Sequence, residues 1–105
     1  MNEYIVVNAR LKILSADEGG RRKSGIKSGY RPNHVFELID GKFKSTFIGQ
    51  ITFDDQEWIY PGDERVVNVT FLKFGGIENF ILVGREWWIY EGSNLIGKAE
   101  ILAVK

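Results

Sequence analysis

From position 4 to position 14 the chain alternates, with Ile5, Val7, Ala9, Leu11 and Ile13 apolar and Asn8, Arg10 and Lys12 polar between them. Successive side chains of an extended strand point to opposite faces, so this pattern buries one face and wets the other. The same period recurs further on in short β-branched runs bounded by Gly, Pro, Asn and Asp, and no stretch carries the repeat of a long amphipathic helix. A chain written this way is expected to be all-β. A second strand is predicted over positions 33–39, with Asp40-Gly41 as the hairpin signal into an antiparallel neighbour at 44–53. Pro61-Gly62-Asp63 has type I or II turn chemistry and leads into a strand at 65–73. Gly75-Gly76 breaks the chain, short strands follow at 78–83 and 86–90 around Gly84, and a polar turn at 91–94 precedes a last long strand at 95–104. About six or seven strands with turns roughly every 8 to 12 residues predict a sandwich or a small closed barrel.

With 105 residues, the chain is read as a single domain over positions 1–105. A chain of this size buries roughly 60–70% of the surface its unfolded form exposes, enough for one core and too little for two lobes with a cleft between them. Zero cysteines and one histidine exclude disulfide staples, thiolate metal sites and a cysteine nucleophile, and leave little for a histidine-based metal site. No apolar run approaches the roughly 18 residues that cross a bilayer, and the N-terminus lacks the features of a secretory signal, so the expectation is a cytoplasmic protein with no membrane contact.

The 14 basic and 14 acidic residues cancel overall but are unevenly spread. Arg21, Arg22, Lys23, Lys27 and Arg31 lie without an acid among them in a Gly- and Ser-rich stretch, whereas Asp54, Asp55, Glu57, Asp63 and Glu64 lie without a base. The basic residues belong to a long break at 15–32 holding Gly19, Gly20, Gly25, Gly29 and Pro32. Loops beyond about 12 to 15 residues are uncommon in compact domains and tend to carry function or to move, so this is the first place to look for a site. Two readings apply: the two patches are solvated and pair with each other, or the basic loop meets an acidic partner or a phosphate.

Catalytic chemistry finds few parts. His34 is the lone imidazole, expected as a surface or packed residue, and Ser24, Ser28 and Ser45 have no G-x-S-x-G setting. Asp54-Asp55 precedes a turn, where solvation or weak cation binding is expected. Gly41-Lys42 is followed by Phe43, so no Walker loop exists and neither GTP nor another cofactor is expected. Asn68-Val69-Thr70 matches the glycosylation sequon in mid-strand and is read as chance. Trp87 and Trp88 are adjacent, so one should point out of the core, to be covered by a loop or to meet a partner.

The run Leu14-Ser15-Ala16-Asp17-Glu18-Gly19-Gly20-Arg21, followed by Gly29-Tyr30-Arg31-Pro32, resembles the C-terminal β-barrel of elongation factor Tu, the third domain of that translational GTPase. Phe36, Pro61-Gly62-Asp63, the strand at 66–72, Ile89-Tyr90-Glu91-Gly92 and Ile96-Gly97 fall in the family's order, so the resemblance spans nearly the whole chain. It implies a six-stranded antiparallel closed barrel, a stand-alone third domain without the GTPase domain or its activity. In the family this domain packs on the GTPase domain, contacts the T stem of aminoacyl-tRNA and helps to bind the exchange factor. By position, Asn33 replaces the glutamine that reaches the T stem, while Glu91 and Gly92 match the acidic-glycine pair that does the same. Glu37 stands in place of an arginine and Leu95 in place of a threonine, and the segment 41–60 looks longer than its counterpart.

A carboxylate in place of a cation lowers affinity for phosphate. The expectation is therefore a non-enzymatic binding module contacting a protein, either a translation factor or a toxin met as decoy or immunity factor. The alternative is a tRNA-binding accessory. The candidate partner-binding residues are Arg21, Arg22, Lys23, Lys27, Arg31, Asn33, Glu91 and Gly92. Gly19 and Gly20 would let the chain turn tightly after the first strand, and Arg21 and Arg31 would tie the loop to Asp17, Glu18 or the acidic segment. In that case the two motifs serve barrel closure. Otherwise they present Arg22, Lys23 and Lys27 to a partner.

Overall fold

The computed structural model describes residues 3–105. Its strands are β1 (Tyr4–Ile13), β2 (Asn33–Ile39), β3 (Lys42–Thr52), β4 (Glu64–Leu72), β5 (Glu86–Glu91) and β6 (Asn94–Val104), with 3-10 turns at Ala16–Glu18 and Ile77–Asn79. The six strands close into a barrel in the order β1-β4-β3-β2-β5-β6, with every neighbouring pair antiparallel. Among the described residues no helix is long and apolar enough to cross a membrane.

The alternation in β1 does what its period requires: Val7, Ala9, Leu11 and Ile13 are buried in the barrel. Asp40 and Gly41 both take positive φ, 52° and 73°, the type I′ geometry whose twist matches that of the flanking strands. A turn this tight lets pairing start at Ile39 with Lys42, so β3 begins two residues before the position expected for it. Pro61-Gly62 resolves as a type II turn, with Gly62 at φ 95° and the Asp63 amide donating to the Tyr60 carbonyl at 2.8 Å.

Positions 78–83, expected as a short strand, are not one. Gly75 and Gly76 in left-handed conformations feed the 3-10 turn at Ile77–Asn79. Only Ile77 of this segment is fully buried, while Leu82 and Val83 stand 62% and 69% exposed. Ile81, Leu82 and Val83 are β-branched or apolar without being half of a sheet; local composition suggested a strand there, and the glycines set a turn.

The core is aromatic at its centre. Trp87 and Phe36 stack with ring centroids 5.2 Å apart, and Phe71 meets Trp87 edge-on at 5.8 Å. His34 is fully buried among them. The Trp87 indole N–H, a donor only, reaches His34 Nδ1 at 2.9 Å, so the imidazole proton sits on Nε2 and is donated to the Gly49 carbonyl at 3.0 Å. Burial holds this ring neutral, with its pKa lowered to about 4 from 6.5. Gly49 makes room for it: a Cβ there would lie 2.9 Å from both His34 Nε2 and Phe71 Cδ1.

Strand register separates the two barrel ends. Tyr4, Leu72, Glu86 and the Asp40-Gly41 turn lie at one; Ile13, Asn33, Thr52, Glu64 and the Gly92-Ser93 turn lie at the other.

Candidate functional site

The second end gathers the candidate residues of the sequence other than Arg31, because the loop 14–32, the connection 53–63 and the β5–β6 turn all emerge there. The long loop is laid across that end as a plug. Ile26 and Ile59 exchange backbone hydrogen bonds at 2.8 and 3.0 Å and are both buried. Four residues on, the Ile51 amide donates to the Tyr30 carbonyl and the Gly29 amide to the Ile51 carbonyl, each at 2.8 Å.

The Ser15–Gly20 turn that starts the loop is tightly determined. The Ser15 amide and hydroxyl both donate to the Glu18 carboxylate at 3.0 Å, and Lys12 from β1 pairs with the same carboxylate at 2.8 Å. The Lys12 ammonium first, then the Ser15 donors, hold Glu18 down to about 2. Gly19 takes φ 91°, and Gly20 passes so close to Leu14 that a Cβ would lie 2.2 Å from the Leu14 carbonyl oxygen. The next amide, Arg21, donates to the Leu95 carbonyl on β6 at 3.0 Å.

The residue that ties the loop to the barrel is Arg22, where Arg21 or Arg31 was expected. Arg22 pairs with Glu91 of β5, donates to the Ser24 and Gly25 carbonyls at 3.0 Å, and covers the Tyr30 ring at 5.1 Å. The Tyr30 hydroxyl is buried beside this pair with no hydrogen-bond partner among the described residues, and burial followed by the Glu91 carboxylate raises its pKa well above the ordinary phenol range. Arg22 and Glu91 thus meet each other. Arg21, Lys23 and Arg31 are exposed and make no salt bridge among the described residues. Arg31 lines a shallow groove on the barrel wall with Tyr4, Ile48, Gln50 and Leu72, apart from the basic loop's tip. Asn33 opens β2 half-buried, paired with Tyr90 and Ile48, and Gly92 is exposed in the β5–β6 turn.

The sequence reading missed Trp58 and Tyr60. Both stand out of the plug, 46% and 53% exposed around the buried Ile59, with rings stacked at 6.3 Å and 18°. The Lys27 ammonium lies 5.1 Å above the Trp58 ring and donates to the Asp55 carbonyl at 2.8 Å. The signal was the run Trp58-Ile59-Tyr60 beside a turn: an extended segment that buries Ile59 turns both of its neighbours outward. Of the adjacent pair, Trp87 is the core residue and Trp88 lies half-buried on the outer wall, paired with Val35 and Lys98.

Chemically this end offers an aromatic platform among charges of both signs. His34, sealed in the core with both ring nitrogens engaged, has no access to a substrate. Among the described residues no group of His, Cys, Asp or Glu side chains is arranged to hold a metal ion. No family model matches the chain.

Proposed function

We propose that this protein is a non-enzymatic binding module, a barrel resembling the third domain of elongation factor Tu, that contacts a protein partner through the end closed by the loop 14–32. The partner is a translation factor, or a toxin for which the module is a decoy or immunity factor. The observation that carries the reading is the exposed Trp58–Tyr60 stack, since Trp and Tyr are enriched at protein-contact hot spots. Two further features support it. The barrel has the six-stranded antiparallel architecture that the resemblance implies, and the Ser15–Gly20 motif has a structural use in closing it. Charge favours protein over nucleic acid: Arg22 is neutralised by Glu91, and Asp54, Asp55 and Asp63 share the end with the remaining cations, whereas phosphate recognition needs a basic surface.

The test is capture from cell extract by the full chain and by its Trp58→Ala/Tyr60→Ala variant, beside filter binding to tRNA at low and high salt. A translation factor or toxin is expected on the parent, with retention reduced about tenfold or more by the double change, and no tRNA shift. Salt-sensitive tRNA binding, with no protein lost in the variant, would replace this reading with that of a tRNA accessory.

A further inference from the structure

Lys27 shows what the Trp58 platform holds. Its ammonium is set over the indole and on the Asp55 backbone carbonyl, yet among the described residues it makes no salt bridge. Among the described residues the Asp54 and Asp55 carboxylates accept only from the backbone and side-chain amides of Gln56, at 2.9 and 3.2 Å. Glu57 reaches Arg65 only at 3.8 Å. Nearly half of the Trp58 surface remains open to solvent. An aromatic face in a segment whose Asp54 and Asp55 carboxylates pair with no cation among the described residues is complementary to a cation, and a guanidinium fits it better than an ammonium does. It is planar, less strongly hydrated, stacks on rings and binds carboxylates through two parallel hydrogen bonds.

We infer that the Trp58–Tyr60 platform is a recognition site for an arginine side chain on a basic segment of a protein partner, and that Lys27 is an internal occupant which this arginine displaces. The inference rests on the protein-partner reading and names the chemistry of that partner. Lys27 competes for the ring without satisfying the carboxylates, so its contact is the weaker of the two and is replaced when a guanidinium arrives.

The test uses the 15N-labelled full chain and two capped peptides, hexa-arginine and hexaglutamate, followed through the indole N–H resonances. Trp58 is assigned by its loss in Trp58→Phe. Hexa-arginine is expected to move the Trp58 resonance while those of Trp87 and Trp88 stay in place, and hexaglutamate to move none. Lys27→Met should lower the half-saturating peptide concentration roughly two- to fivefold, the size of one exposed cation–ring contact. Asp54→Asn with Asp55→Asn should raise it by a similar factor. Movement by hexaglutamate, no movement by hexa-arginine, or weaker arginine binding in Lys27→Met would overturn the assignment. Because the peptides need no natural partner, a failed titration beside a successful capture overturns the cation chemistry and leaves the barrel-end reading standing.

Discussion

Gly20→Ala should lower the stability of the protein by about 3 kcal/mol or more, a fall in melting temperature of roughly 10–20 °C for a domain of this size. The added Cβ would stand 2.2 Å from the Leu14 carbonyl oxygen. That oxygen is backbone, placed at the end of β1, so it cannot swing aside as a side chain would. Relief would require opening the turn, and the turn is held on both sides: the Gly20 amide donates to the Ser15 carbonyl at 2.9 Å and the Leu14 amide to the Ile96 carbonyl at 2.9 Å. Gly19→Ala is the comparison. It meets no atom within 4 Å and suffers only from its φ of 91°, a penalty of about 1–2 kcal/mol. Thermal unfolding followed by circular dichroism checks both, and a Gly20→Ala melt within 2 °C of the parent would show that the loop is not packed as described.

Trp87→Ala should cost about 3–5 kcal/mol, because the side chain is fully buried and meets Phe36, Phe71 and His34. Trp87→Phe is the sharper change. It retains an aromatic ring but removes the donor to His34 Nδ1, leaving a buried acceptor unpaired at a cost of about 1–3 kcal/mol. The same ring sets an acid limit on the fold. The folded pKa of His34, about 4, lies below its ordinary 6.5, so the unfolded chain takes up the proton first. This contribution to stability is complete above pH 6.5, declines as the pH falls towards about 4, and levels off once the native ring is also protonated; the whole loss is about 3 kcal/mol. Urea melts of parent and variants between pH 7 and pH 4 measure it. A Trp87→Phe protein as stable as the parent would contradict the assigned hydrogen bond to His34, and a parent whose stability is flat across that range would contradict the burial of its ring.

The barrel was legible in the chain because strand burial in β1, β4 and β6 is a local, period-two property, and Asp40-Gly41 names its own turn. The plug was not, because Ile26 and Ile59 are an apolar pair that find each other only after the barrel brings their loops to one end. His34 reads in sequence as an isolated polar residue; its burial depends on a donor 53 positions away and on the missing side chain of Gly49, a glycine within a strand, which is itself a sign of close approach. Of the candidate site, the clustering of the basic loop with Glu91 and Gly92 followed from the motif order. The pairing of Arg22 with Glu91 did not, since the motifs assign both to a partner and leave Arg21 and Arg31 as the ties. Trp58 and Tyr60 belong to a run of three apolar residues with Ile59, too short to show which of them the barrel would bury.

If the plugged end of the barrel binds the proposed partner, the two ends can be told apart, because each carries its own reporter. Trp58 and Tyr60 are exposed at the plugged end, Tyr4, Phe74 and Leu82 at the opposite end. Hydroxyl-radical footprinting of the protein alone and with its captured partner reads them together. Oxidation of Trp58 and Tyr60 should fall severalfold in the complex while Tyr4, Phe74 and Leu82 react as before; protection of Phe74 and Leu82 with Trp58 unchanged would place the partner at the wrong end and contradict the account.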